Sequence, residues 1–232
     1  MKISKAQKIK NRQSILDAFV KLSKDKKFKE VSMKAIAKSA GLSDAAIYNY
    51  FASKEELITG YFLNRIELTI ELAQSSKEFQ ELVFSDKIQW FIEFYLEKIE
   101  KEEGIIRQSM HHLVEQPIAI AKTGLGQSKK IFVEFFKNQM DLAVSNNEFS
   151  EPPFSGFICE LLWDMHLGVI HYWLNDKSAE KLNTSNLIEL SINLFQELLN
   201  GDIFNKFYKV GHFLFKEHLL SKLLSMGAPV DR

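Results

Sequence analysis

The chain has 232 residues, 46% hydrophobic and 26% charged, and its charges cancel to +0, as in an ordinary soluble globular protein of one large domain or two modest ones. The lone Cys159 excludes an internal disulfide and fits a reducing cytoplasm; no uncharged apolar run approaches the ~18 residues of a membrane span, and the basic N-terminus lacks the apolar core of a signal peptide. The zero average hides an asymmetry: residues 1–65 carry 14 basic and 6 acidic side chains, a net of +8 that an equally acidic remainder cancels. A basic module on an acidic body points to a polyanionic partner for one end, with a solvated lysine face as the alternative.

Four prolines among long periodic segments favour an all-α fold. Residues 6–24 predict an amphipathic helix, with Ile15, Phe19 and Leu22 at i, i+4, i+7 and Lys5, Lys8, Lys10 and Arg12 off that stripe. Lys26-Lys27-Phe28-Lys29 is a basic connection. Ser32 caps a second helix, residues 32–40, with Ile36, Ala37 and Ala40 facing inward. Gly41 supplies the left-handed residue expected at its end, Leu42 fills the corner, and Ser43 caps a short helix over residues 44–50. Ser53-Lys54-Glu55-Glu56 is a capping box opening a long helix to about Ser75. Further helices are expected over residues 86–102, 104–115 and 118–147 with Pro117 between the last two, then 154–175, 184–200 and 203–225, with a fraying tail from Gly227.

Residues 32–51 therefore read as a helix-turn-helix, in which the second helix enters the major groove and the first crosses the backbone. Ser43, Ala45 and Ala46 are small enough for close approach, and Tyr48, Asn49 and Tyr50 follow with groups that reach bases or phosphates. Ser32 and Ser53-Lys54 sit at helix N-termini, where free N–H groups and the dipole favour an anion. Tyr48 has packing, Ser43 capping and Lys54 ordinary solvation as competing explanations.

The pattern Ser-x-x-x-Ile-Ala-x-x-Ala-Gly-Leu-Ser-x-x-x-x-Tyr-x-Tyr-Phe-x-x-Lys-Glu-x-Leu resembles the N-terminal domain of the tetracycline-repressor family over about residues 8–65. The resemblance implies an all-α, homodimeric, ligand-responsive regulator, usually a repressor. Its homeodomain-like three-helix head would be residues 1–52, and its helical ligand-binding and dimerisation bundle residues 53–232. It implies that Ser32, Tyr48, Tyr50 and Lys54 contact phosphates, with Lys34 on the same surface, and that Ser43, Asp44, Ala45 and Asn49 face bases. Ser32 and Tyr50 stand where the family often has Thr and His. Asp44 is awkward, since a carboxylate repels phosphates, although it accepts from a cytosine amino group.

In the body, Gly124-Leu125-Gly126-Gln127-Ser128-Lys129 lacks phosphate-loop spacing, His111-His112 and His166…His171 lack metal-site spacing, and no nucleophile elbow occurs. No cofactor or metal is expected. Cys159 reads as a buried small hydrophobe. Phe94, Tyr95, Met110, Phe136, Met140, Trp163, His166 and Tyr172 mix apolar bulk with polar tips and suggest a pocket for a small, mostly apolar effector, against the simpler reading of a large core. Leu161, Gly168, Leu187, Leu190, Leu194 and Leu198 suggest a four-helix dimer interface, against burial within one subunit. The partners expected are thus a double-stranded DNA operator, a second copy and the effector, with no membrane. The rivals are a small-molecule sensor whose head is only structural and a helical enzyme, for which no catalytic constellation is seen.

Overall fold

The structure is a computed structural model that describes residues 4–25, 30–114, 125–152 and 154–200, with 206, 209 and 210 beyond them. Its helices are α1 (Lys5–Asp25), α2 (Met33–Ser39), α3 (Lys54–Ser75), α4 (Lys77–Glu81), α5 (Phe84–Ile99), α6 (Glu103–Val114), α7 (Leu125–Ser145), α8 (Ser155–Asn175) and α9 (Leu182–Asn200). Single 3₁₀ turns occupy Ala46–Asn49, Glu100–Glu102 and Ala179–Lys181. Among the described residues there is no strand, and no helix is long and apolar enough to cross a membrane. The basic connection at residues 26–29, Pro117, Gly124 and the helix expected at 203–225 lie outside the described residues, the last except for three positions; so does the tail from Gly227.

The head is built by local chemistry. Ser32 Oγ accepts from Ala35 N at 3.2 Å, and Ile36 and Ala37 are fully buried. The helix stops in a Schellman arrangement, with Leu42 N donating to Ala37 O at 2.9 Å and Gly41 N to Lys38 O at 3.2 Å while Gly41 holds φ +72. The helix expected over residues 44–50 is instead a turn followed by the 3₁₀ turn Ala46–Asn49. So few residues do not repay helix nucleation, and Tyr and Asn are indifferent helix formers.

Helix α3 is the spine. Ser53 Oγ accepts from Glu56 N at 3.2 Å and Glu56 Oε2 accepts from Ala52 N at 2.6 Å, so the capping box closes in both directions. Every residue from Leu57 to Leu63 is buried. A helix covered all round lies between two layers: α1 covers one side, α5 and α7 the other. Gly60 is required there, because a Cβ would lie 2.5 Å from the Phe51 ring and 3.0 Å from Arg12 Nη2. The Arg12 guanidinium sits 4.5 Å over that ring. Further along, Arg65 grips Glu102 with contacts of 2.8 and 3.2 Å, and the Tyr61 hydroxyl donates to the same carboxylate. Burial and then the Glu102 charge push the Tyr61 phenol far above its ordinary range.

One hydrophobic core runs from the head into the body. Its centre is aromatic: Phe91 meets Phe132, Phe135 and Phe136 at centroid separations of 5.4, 5.8 and 5.2 Å. Cys159 is buried, and burial, with Asp141 adding, pushes its thiol up to about 11, as expected of an inert small hydrophobe. The link from α8 to α9 is tied at Asp176, which accepts from Ser178 N and Oγ at 2.9 and 2.7 Å and from Thr184 N and Oγ1 at 2.8 and 2.7 Å. Burial opposes the Asp176 charge, but these bonds outweigh it and hold the carboxyl far below the usual range. Lys181 then donates to Trp173 O and Asp176 O at 2.9 and 3.1 Å, capping the carbonyl end of α8.

Candidate DNA-binding surface

The head separates its side chains by task. Ile36, Ala37, Ile47 and Phe51 are buried, whereas Ser32, Lys34, Ser43, Asp44, Ala45, Tyr48 and Asn49 are exposed. Tyr48 is 54% exposed, more than a packing residue would be, although Ile47 beside it is fully buried. Ser43 does serve as a cap, its Oγ accepting from Ala46 N at 3.3 Å. That leaves its hydroxyl proton for another partner, as at Ser32. Asp44 proves less awkward than the sequence suggests: Lys34 Nζ lies 3.2 Å from its carboxylate, so the negative charge arrives paired. Both ends of that bridge are exposed, so it contributes about 1 kcal/mol or less. Lys54 is half-buried at the start of α3, where burial lowers its pKa and neighbouring Glu55 opposes the change.

Tyr50 is placed differently from Tyr48. It is half-buried, and its Oη accepts from Asn11 Nδ2 at 2.7 Å. Together Lys8, Ile9, Asn11 and Arg12 of α1 and Leu42, Ala46, Asn49 and Tyr50 of the turn line an open groove of about 620 Å³. The helix-turn-helix motif does not mark the α1 side of this groove. Its only signal in the sequence is the cationic first half of that helix, which carries Lys5, Lys8, Lys10 and Arg12.

The expected effector residues are only partly gathered. Tyr95, Phe136, Met140, Trp163 and His166 are buried. His166 packs against Tyr95 at 4.8 Å, Phe132 at 5.2 Å and Trp163 at 5.9 Å, and neither ring nitrogen has a hydrogen-bond partner. Burial alone lowers its pKa to about 3, so it is neutral in the fold. Phe94 is half-buried at an edge, stacked on Trp90 at 4.6 Å with Lys98 over its other side. Met110 is half-buried on α6, and Tyr172 is 40% exposed, outside the cluster. Phe91 and Phe132, at the centre, were not among the expected lining residues; the i, i+4 pair Phe132 and Phe136 on α7 was the available signal.

Of the six residues expected at a dimer interface, three face outward and Leu187 packs against the core. Leu190 and Leu194 are 67% and 63% exposed, Gly168 is exposed, and Leu161, Leu187 and Leu198 are half-buried. Helix α9 turns Thr184, Ile188, Ile192 and Phe195 into the subunit instead. The two stripes lie roughly 100° apart around the helix.

An exposed helix-turn-helix on a helical body defines the class: a DNA-binding transcriptional regulator. Residues 15–60 match the bacterial regulatory proteins of the tetR family, and residues 87–214 match the tetracyclin repressor-like C-terminal domain. The chain belongs to the tetracycline-repressor family. It is 33% identical over 78 residues to the fatty acid metabolism regulator protein of Bacillus subtilis (strain 168), a stretch covering 31% of this chain and 40% of that relative. The chain thus matches less than half the length of that protein. A TetR transcriptional regulator from Nitrosomonas europaea ATCC 19718 is similar at a TM-score of 0.60 and 19% identity, over 80% of this chain and 97% of that one. FadR of Thermus thermophilus, a TetR-family repressor solved with lauroyl-CoA, is similar at a TM-score of 0.64 and 15% identity, over 82% and 95%. At such identities the likeness is one of fold.

Proposed function

We propose that this regulator is a homodimeric repressor that holds a palindromic operator in the cytoplasm and releases it when a small, mostly apolar effector enters the body. The observation that carries the reading is the polar, exposed face of residues 32–49 on a fully buried frame. Ser32, Lys34, Tyr48, Tyr50 and Lys54 grip phosphates; Ser43, Asp44, Ala45 and Asn49 face base edges in the major groove. One short recognition segment binds specifically only when a two-fold partner supplies the second half-site. The outward leucines Leu190 and Leu194 of α9 support that second copy.

The effector acts through α3. Arg65 and Tyr61 tie this helix to Glu102 in the body, and in its first turn Glu56 accepts from Ala52 N of the head. An effector that binds better to the state in which α3 is tilted shifts the spacing of the two recognition segments and lowers affinity. The aromatic cluster around His166 supports an apolar ligand, and lauroyl-CoA, bound by the Thermus relative, is the first compound to test.

Selection of bound sequences from random duplex DNA tests the reading. An inverted repeat with half-sites about one helical turn or a multiple apart is expected. Recovery of unpatterned DNA would sink it. In the same binding assay lauroyl-CoA should release the selected duplex and raise the melting temperature of the free protein.

A further inference from the structure

We propose that Asn11 is a positioning residue that sets the hydroxyl of Tyr50 as a hydrogen-bond donor toward the DNA backbone. This rests on the DNA-binding reading above. The observation is a chain of three side chains across the groove between α1 and the recognition turn. Gln7 Nε2 donates to Asn11 Oδ1 at 2.7 Å, one turn along α1. Asn11 Nδ2 donates to Tyr50 Oη at 2.7 Å, across 39 residues of sequence. Ser4 holds the start of this helix, its Oγ accepting from Gln7 N at 3.2 Å.

The direction of the chain has a chemical consequence. An amide whose oxygen is occupied by Gln7 presents its NH₂ to Tyr50, so the phenol oxygen accepts and its own proton is left to donate. A phosphate oxygen has no proton to give and accepts only. A phenol held as a donor therefore suits it, and a bond to a charged acceptor is stronger than a neutral one. Each link also polarises the next. Lys8, which lines the same groove, adds positive charge beside that point. Tyr48, exposed and outside this chain, has no such constraint.

The substitution Asn11→Asp keeps the contact and reverses its polarity, because a carboxylate accepts only and takes the Tyr50 proton for itself. The experiment is a double-mutant cycle on duplex binding by the full chain, with the selected operator as probe. In the wild-type background Tyr50→Phe is expected to weaken binding about tenfold per subunit, the worth of one hydrogen bond to a charged group. In the Asn11→Asp background Tyr50→Phe should cost nothing further, while the melting temperature of Asn11→Asp stays at the wild-type value. A tenfold cost for Tyr50→Phe in both backgrounds would mean that the aspartate acts only by repulsion, and would overturn the proposal. Asn11→Ala, which adds no charge, should weaken binding several-fold without changing its salt dependence; wild-type affinity in that variant would also overturn it. Failure of the wild-type chain to bind any selected duplex would instead overturn the DNA-binding reading, and the relay with it.

Discussion

Asn49 and Lys8 border one groove but differ in what they offer a duplex. An amide reads an adenine edge with paired bonds, whereas an ammonium neutralises a phosphate and releases counterions. Asn49→Ala should relax preference at one base position by about 1–3 kcal/mol and leave random DNA nearly unaffected, whereas Lys8→Ala should weaken every duplex and flatten the log–log salt slope by about 1. Equal losses on selected and random DNA for both variants would remove the base-reading role. His166 carries a prediction of another kind. Its folded pKa of about 3 lies below the unfolded value near 6.5, so only the unfolded chain takes up a proton as the pH falls between them. Stability is then full above about pH 6.5 and declines by about 1.4 kcal/mol per unit until the folded pKa is reached. His166→Phe fills the same aromatic surroundings without two unpartnered nitrogens. In urea titrations at pH 7 and pH 5 the wild type should lose about 2 kcal/mol more than this variant. Equal losses would show that His166 is solvated or charged in the fold.

At the scale of elements, α3 sets two opposing effects against each other at Gly60. Alanine is a better helix former than glycine by about 1 kcal/mol. Its Cβ, however, would meet the fully buried Phe51 ring at 2.5 Å, and overpacking a filled site costs about 1–3 kcal/mol. A contact as short as 2.5 Å with a ring puts the steric cost at the upper end, so Gly60→Ala is expected to lower stability by up to about 2 kcal/mol and to weaken DNA binding, since Phe51 follows Tyr50 in the chain. Adding Phe51→Leu should recover part of the stability, and a Gly60→Ala chain that melts higher than wild type would reverse the argument. The same helix shows what the sequence made legible and why. Ser32, Gly41 and the Ser53–Glu56 box do their jobs within a few residues, so spacing alone located α2, the turn and the start of α3. Asn11 with Tyr50, and Tyr61 and Arg65 with Glu102, join positions 37–41 apart, and no local pattern marks such pairs. Periodicity failed for short pieces too: α4 spans only Lys77–Glu81, and the recognition segment is a 3₁₀ turn where a helix was expected. In the body, periodicity marked which faces are apolar but not which aromatic side chains meet, so Phe91 and Phe132 were missed and Tyr172 was grouped with a cluster it does not join.

For the whole molecule, the charge asymmetry and the outward leucines bear on one assembly. The +8 head is drawn to a duplex and the acidic remainder is repelled by it, which orients each subunit before any specific contact forms. On α9 the inward stripe from Thr184 to Phe195 joins the subunit core, whereas among the described residues Leu190 and Leu194 stay outside it. Burying one such leucine in a partner is worth about 1.5–3 kcal/mol. In the proposed dimer, glutamate at both positions would set four like charges against one another while leaving the subunit interior intact. Leu190→Glu with Leu194→Glu should therefore sediment as a monomer. Its melting should become independent of protein concentration, whereas that of the wild type should rise with concentration. With the second half-site no longer tethered, affinity for the selected inverted repeat should fall by at least about a hundredfold, while affinity for an isolated half-site stays at the wild-type value. A double variant that remains a dimer, or a monomer that binds the full repeat as tightly as the wild type, would separate DNA binding from this face of α9.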